Sequence, residues 1–584
     1  MLGKPLFIRY TCVPNYFINL KKLMKELSHG DWMVFVAYFI MVSGYGLWVY
    51  RRKRNADATS TDYFLAEGSL TWWAIGASLI ASNISAEQFI GTSGSAFKEG
   101  LAIATYEWMA SFSLIVVAVF FIPVYLKNKI FTMPQFLNQR YNGTVAMIMA
   151  IFWLLLYIVV NLMSILFLGA LAISQISGID TSLCILFLAV FAVVITLGGM
   201  KVIGYTDVIQ VLVLVLGGVV ATYLALNQIS AHEGTTGWLN GLTSLHKQAN
   251  DHFHMILKKD NPNYVDLPGL SVLIGGMLIV NLNYWGCNQY ITQRALGANL
   301  KTARGGILFA AFLKLLMPII VVIPGIAVYL LHQKGMFHQE MLSSKGILDP
   351  NKAYPSLLNL LPSGLKGLSF AALTAAIVAS LAGKANSIAT IFTLDIYKKA
   401  LKPDATDRQL VNVGKISVVV AMVLGVIMSL KIGEQLMGEG KQGFQYIQEY
   451  TGFVSPGIFA MFLLGFFWKK TTSDAALFAT IGGFIFSVVF KFLPRFADLS
   501  FLTPYGFYAK NSSGGFEIPF IDRMGFVFVL CIIGMYIITM IQNPRGERTN
   551  GLEVDTTMFR TNRAFTAGAL LVGGIIVALY SMFW

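Results

Sequence analysis

The chain has 584 residues, of which 56% are hydrophobic and 12% charged, whereas soluble domains carry about 25% charged residues. That much apolar surface excludes a soluble fold, a disordered chain and a collagen-like chain alike. The formal net charge of +14 is spread between apolar runs rather than gathered on one basic face, so it points to no nucleic-acid partner.

Apolar runs long enough to cross a bilayer as helices fall at about 31–50, 72–95, 101–126, 144–175, 180–199, 205–227, 268–296, 304–333, 357–398, 409–431, 444–467, 472–493, 518–542 and 562–582. They predict an all-α polytopic membrane protein of about 14 transmembrane helices in a lipid bilayer. Several runs exceed what a hydrocarbon core of about 30 Å needs, so tilts or breaks are expected. Basic residues cluster after alternate spans: Arg51, Arg52, Lys53 and Arg54; Lys127, Lys129 and Arg140; Lys201; Arg294, Lys301 and Arg304; Lys398, Lys399, Lys402 and Arg408; Lys469 and Lys470; Arg545, Arg548, Arg560 and Arg563. All lie on one side if the count holds. The positive-inside rule makes that side cytoplasmic and both termini extracytoplasmic.

The first thirty residues break the pattern, with Lys4, Arg9, Lys21, Lys22 and Lys25. Met24 offers a second start, and 1–30 is expected to be a dispensable extension ahead of one transmembrane domain at 31–584. No apolar core with a small-residue cleavage site marks a signal peptide.

The four cysteines, Cys12, Cys184, Cys287 and Cys531, have no CxxC spacing. The seven histidines all lie between or before the apolar runs, which speaks against a haem or metal centre within the membrane. No GxxxxGK[ST] motif occurs, so an ATP-driven pump is not indicated. An enzyme would need a nucleophile, base or metal cluster at one membrane face, and none is visible; no cofactor is expected.

Two spans are not plain. Span two reads GASLIASNISAEQFIGTSGSAF, with Asn83, Glu87 and Gln88 among small residues. Span seven reads GGMLIVNLNYWGCNQY, with Asn281, Asn283, Asn288 and Gln289. Polar residues and glycines at this depth are costly unless they face a cavity or a broken helix. Two such segments five spans apart are the pattern of an inverted-repeat transporter, here about 72–227 and 268–467. The plainer alternative is small-residue helix packing. Glu107, Lys314, Lys384 and Glu449 also lie inside spans, and Asp207 opens span six. Such charges are either functional or paired structurally.

Several stretches carry a resemblance: DYFLAEGSLTWWAIGASLIASNISAEQFIG at 62–91, YEWM at 106–109, TDVIQV at 206–211, FAAFLKL at 309–315, ATIFTLDIYK at 389–398, and FQYIQEYTGFVSPGIFAMFLLGFFWKKTTS at 444–473. From about residue 31 onward the chain resembles the solute:sodium symporter family, on the side of its bacterial sodium/galactose members. The resemblance implies a LeuT-type 5+5 inverted repeat that moves a hexose-like sugar with sodium by alternating access across a bacterial inner membrane.

It also implies site residues. The sugar-binding set maps onto Gln88, Glu107, Asn281, Lys314 and Gln448. A sugar is a ring of hydroxyls, so a dry site must supply donors and acceptors in fixed places. Tyr284 matches an inner-gate aromatic; Tyr106 and Phe444 match outer-gate or aromatic positions. Two departures, Ala110 in place of a serine and Thr92 in place of a gate methionine, put galactose itself in question. Ser111, about 100° further round a helix, is no obvious substitute for the lost serine.

For sodium, the family pattern maps onto carbonyls of Ala81, Ile84 and Ala376 and onto two hydroxyls that read Ala379 and Ser380 here. The site is therefore weakened by one ligand. Asp207 matches an acidic residue near the ion's exit path, and Asn161 a polar residue of span four. Lys384 departs from the pattern. It lies four residues after Ser380, on the same helical face and about 6 Å along the axis. Two readings stand: a Lys384–Asp207 ion pair beside a weakened sodium site, or an ammonium that replaces sodium in a proton-coupled or sodium-independent carrier.

Overall fold

The computed structural model describes residues 27–52, 71–130, 132–197, 200–343, 345–438, 441–511, 514–546 and 550–584; the side chains of 43, 46–52, 200–208 and 290 lie outside that description. The stretch 1–26, and with it the Met24 start, lies outside it too.

Among the described residues, ten helices are long and apolar enough to cross a membrane, or eleven if the bent pair Gly443–Thr451 and Ser455–Phe467, 48° apart, forms one span. The rest of the apolar segments are shorter or broken helices, such as Thr181–Thr196 and Trp72–Asn83. The helix Leu365–Leu401 is the central one, 89% buried over its most apolar window, against 22% for Arg563–Met582 and 28% for Phe520–Gln542. Large apolar side chains such as Leu186, Val190 and Val194, or Leu212, Leu216 and Val219, stay exposed along the outer helices. Helices can face lipid this way because their backbone bonds are satisfied internally.

Both segments singled out for their polar residues are broken. Helix Trp72–Asn83 stops where Ile84 turns extended, at φ −72° and ψ 111°, and helical backbone resumes at Glu87. Helix Gly276–Gly286 stops at Cys287, and a new helix runs from Gln289 to Leu296. Close packing fixes the first break against helix Leu300–Gln333. A Cβ on Gly76 would lie 2.7 Å from the Gly306 carbonyl oxygen, and one on Gly306 would lie 2.7 Å from Ile75, so only glycines permit this approach. Beyond the break, Gly100 at φ +68° reverses the chain before Thr105 starts the next helix.

Two span boundaries differ from expectation. The central helix starts at Leu365, not near 357, because Pro362 and Gly364 (φ +86°) interrupt the apolar run. Asp31 then accepts from the freed amides of Gly364 at 2.7 Å and Gly367 at 2.9 Å, an N-terminal carboxylate cap. The segment beginning at 268 becomes helical only at Gly276, after a turn at Gly269–Val272 and Gly275 at φ +128°.

Some basic residues read as loop charges are buried caps. Arg140 donates to the carbonyls of Gly465, Trp468 and Thr471 at 2.8, 3.0 and 3.1 Å. Arg304 donates to Ala118, Met558 and Arg560 at 3.0, 2.9 and 2.8 Å. Each guanidinium satisfies carbonyls that helix ends and loops leave open.

Candidate functional site: a polar cavity between the broken helices

The first break aims Asn83 and Gln88 into the protein. Helix Thr105–Val116 brings Tyr106, Glu107 and Ala110; Leu300–Gln333 brings Lys314; Gly276–Gly286 brings Asn281, Tyr284 and Trp285; Gly443–Gly452 brings Phe444 and Gln448. Their spacings of three and four keep each set on one helix face. All of them line one cavity of about 90 Å³.

Its centre is an ion pair. Lys314 Nζ lies 2.5 Å from Glu107 Oε2, both residues 1% exposed. Glu107 Oε1 accepts from Gln88 Nε2 at 2.6 Å, and Gln88 Oε1 accepts from Thr92 at 3.0 Å. Asn83 Oδ1 accepts from Lys314 and, at 3.2 Å, from Gln88; Asn83 Nδ2 donates to the Tyr284 hydroxyl at 3.3 Å. The side chains of Gln88, Glu107 and Lys314 are thus brought into direct contact. Asn281 lines the cavity but donates to its own helix at Met277 O, 3.0 Å away. Gln448 lines it without joining that network. Tyr106 and Phe444 meet edge to face, ring centres 4.9 Å apart. Ser111 is turned away and bonds back to Glu107 O at 3.2 Å.

Ala81, Ile84, Ala376, Ala379 and Ser380 are all buried. A helix leaves its last carbonyls without internal partners, and the end at Asn83 does so for Ala81 and its neighbours. Ser380 Oγ is buried with no hydrogen-bond partner among the described residues.

Lys384 lines the same cavity. Its Nζ donates to Asn161 Oδ1 at 2.9 Å, sits 5.6 Å from the centre of the Tyr157 ring, and interacts electrostatically with Glu87. Glu87 Oε1 accepts from Ser164 at 2.8 Å. The Asp207 side chain lies outside the described residues, so its expected pairing with Lys384 does too. Glu449, a candidate intramembrane charge, is held by Lys491 and Arg523 at 2.6 Å each and belongs to a structural cluster.

Sequence reasoning left several lining residues out of its site: Asn83, Glu87, Trp285 and Asn288. Asn83 is the bridge between Lys314 and Tyr284. Its position at the end of a helix followed by Ile-Ser was the available signal.

The sequence profile of the sodium:solute symporter family matches residues 63–483. The chain belongs to the sodium:solute symporter family. It is 44% identical to the sodium/glucose cotransporter of Vibrio parahaemolyticus over 576 residues, 96% of this chain and 100% of that one. It is 34% identical to human sodium/myo-inositol cotransporter 2, with 80% of this chain and 70% of that one aligned. It is 32% identical to rat sodium/glucose cotransporter 2, over 80% and 72% of the two chains. Among solved structures, a Na+-coupled sialic acid symporter, substrate-bound and outward-open, superposes with a TM-score of 0.70 at 20% identity, covering 88% of this chain and 98% of that one; that likeness speaks for the fold. As a member of this symporter family the chain is a multi-pass membrane transporter and not an enzyme.

Proposed function

We propose that this symporter imports a hexose-like sugar with sodium by alternating access across a bacterial inner membrane. The supporting observation is the Gln88–Glu107–Lys314 cluster, held at a helix break and facing a cavity. Gln88, Glu107, Asn281, Lys314 and Gln448 bind the sugar hydroxyls; Tyr284 gates the inner side and Tyr106 with Phe444 the outer side. A buried carboxylate, ammonium and amide set offers strong charge-assisted bonds to hydroxyls that water would otherwise solvate. The names of the sodium/glucose and sodium/myo-inositol relatives support a polyhydroxylated substrate.

Sodium is the co-substrate, bound by the carbonyls of Ala81, Ile84 and Ala376 and by Ser380 Oγ. A buried hydroxyl without a partner beside a helix end suits a hard cation that takes oxygen ligands. Replacement of the ion by Lys384 is not favoured, because its ammonium is engaged by Asn161 while Ser380 Oγ stands without a partner.

The two helix breaks, at 84–86 and 287–288, support the LeuT-type 5+5 reading with repeats at about 72–227 and 268–467; the apolar runs support some 14 transmembrane helices, and the basic loops extracytoplasmic termini. The dispensable extension expected at 1–30 stops short of Leu27, which is buried in the core, and of Ser28, which bonds Asp31 and Ser363 as the first helix starts at His29. Uptake of a panel of labelled hexoses and cyclitols into proteoliposomes, with and without an inward sodium gradient, tests the reading. Sodium-driven accumulation of at least one of them is expected; accumulation of none of them overturns it.

A further inference from the structure

A second polar cluster lies outside the set of residues that line the sugar cavity. Glu99 closes the resumed half of the first broken helix, next to the reversal at Gly100. Its carboxylate is buried, and both oxygens accept from Gln445 Nε2 at 2.9 Å. Gln445 Oε1 in turn accepts the Tyr106 hydroxyl at 3.3 Å. Gln445 follows Phe444 and stands three residues before Gln448, so this amide sits on the element that carries one ring of the outer aromatic pair and one wall of the cavity.

Asp266 reaches the same place from the long loop after helix Trp238–Gln248. Its Oδ2 accepts from Gln442 Nε2 at 3.3 Å. The Gln442 amide also reaches Glu99, so it stands between the two carboxylates, and the Asp266 charge is felt at Glu99. The loop is tied to the broken helix by Asn263 Nδ2, which donates to Lys98 O at 2.8 Å. One atom is out of balance: Gln442 Oε1 is buried and accepts no hydrogen bond among the described residues. Two carboxylates at one site resist double ionisation. A proton on either would remove that repulsion and supply the O–H donor that the Gln442 oxygen lacks.

We infer that Glu99 and Asp266 hold one proton between them, and that this carboxyl pair latches the long loop onto the outer gate. The inference rests on the reading of Tyr106 and Phe444 as that gate. In the latched state the proton joins loop, broken helix and helix Gly443–Gly452. When it leaves, two like charges face each other and the loop separates from the gate helix.

Burial raises the Asp266 carboxyl to about 7, with Lys98 and Lys491 pulling it down and Glu517 and Glu449 pushing it up. Protonation thus favours the latched form. Between about pH 4, where an unconstrained aspartate titrates, and pH 7 the latch weakens as pH rises, and above 7 its protonated form is lost. Other charged and titratable groups surround the pair. Lys98 and the Tyr106 phenol flank it on its own side. Glu449, Lys491, Arg523 and Glu517 form a salt-bridged set across the loop. His252, whose ring nitrogen lies 3.3 Å from Phe97 O, abuts Gly100. Asp349 and Lys352 sit at the turn Pro350–Lys352, where Asp349 is engaged by Asn351 at 3.0 Å.

The test needs no sugar. Spin labels on cysteines introduced at the exposed positions Asp260 and Lys441, in the full chain lacking its native cysteines, report the loop-to-gate distance between pH 5.5 and 8.5. Hydrogen exchange of loop residues 253–275 in the unlabelled full chain, corrected for the intrinsic pH effect, gives a second reading. The expected result is a longer distance and faster exchange as pH rises from 5.5, levelling off above about 7, and loss of both shifts in Glu99→Gln and in Asp266→Asn. Persistence of the pH shift in both variants, or an unlabelled chain whose corrected exchange does not change with pH, overturns the latch. A pH shift lost in these variants supports it even where no sugar of the panel is transported, an outcome that would count only against the sugar reading.

Discussion

Lys314 and Glu107, separated by 207 positions in sequence, form an ion pair of 2.5 Å that is sealed from solvent. Two ions taken into a low-dielectric interior are tolerated only when each has partners. Glu107 has Lys314 and Gln88; Lys314 has Glu107 and Asn83. Removing one charge strands the other. Glu107→Gln alone, or Lys314→Met alone, should therefore destabilise the protein by about 3–5 kcal/mol and abolish sugar uptake. The double variant should recover much of the stability and none of the uptake. Thermal unfolding in detergent and proteoliposome uptake together check this. Full uptake in the double variant would remove the pair from the sugar site.

Gln448 separates binding from folding. It lines the cavity yet lies outside the Glu107–Lys314 network. Gln448→Ala should leave the unfolding temperature near wild type and abolish detectable uptake, since an unpaired sugar hydroxyl costs about 1–3 kcal/mol and sites built on hydrogen bonds discriminate steeply. Unchanged uptake would mean that the sugar does not reach this wall.

Tyr284 combines a ring facing the cavity with a hydroxyl that accepts from Asn83 at 3.3 Å. Tyr284→Phe removes that bond and keeps the ring; Tyr284→Ala removes both. Sugar affinity should fall by a small factor in the first and more in the second, because stacking contributes without strict direction. Sugar efflux from preloaded vesicles should rise in Tyr284→Ala as occlusion loosens. Equal efflux in both variants and wild type would argue against a gate.

Much of the fold was legible because hydropathy has a physical scale: a bilayer of fixed thickness demands helices of fixed length. The two helix breaks were legible for the same reason, since Asn83, Gln88, Asn281 and Asn288 have no place in a plain span. What failed were boundaries set by backbone rather than by hydropathy. Pro362 and Gly364 cut an apolar run, and Gly275 delayed a helix start. Arg140 and Arg304 read as loop charges because capping a distant carbonyl leaves no local pattern. Gln88, Glu107 and Lys314 were named from resemblance, whereas Asn83 was legible as a polar residue out of place in its span but its link between Lys314 and Tyr284 shows only when helices far apart in sequence meet. Glu99 and Asp266 lay outside the site for the same reason: each is unremarkable alone, and only their meeting at Gln442 and Gln445 gives them chemistry.

The ion site supplies the last prediction. Ala379 stands where the family pattern has a second hydroxyl, next to Ser380, whose own Oγ lacks a partner. Ala379→Ser adds one oxygen ligand at a buried position next to Ser380. The sodium concentration for half-maximal sugar uptake should fall severalfold, with the sugar dependence at saturating sodium little changed. Lys384 must be read separately, because its ammonium bonds to Asn161 and interacts with Glu87 rather than with Ser380. Lys384→Met removes the cation that faces the half-buried Glu87 carboxylate, leaves it the Ser164 hydroxyl, and should lower stability, while saturable sodium stimulation persists in whatever protein folds. Uptake measured against external sodium at fixed pH decides the matter. Wild-type uptake that ignores sodium, but responds to it in Lys384→Met with Ala379→Ser, would show that the lysine occupies the ion's place after all.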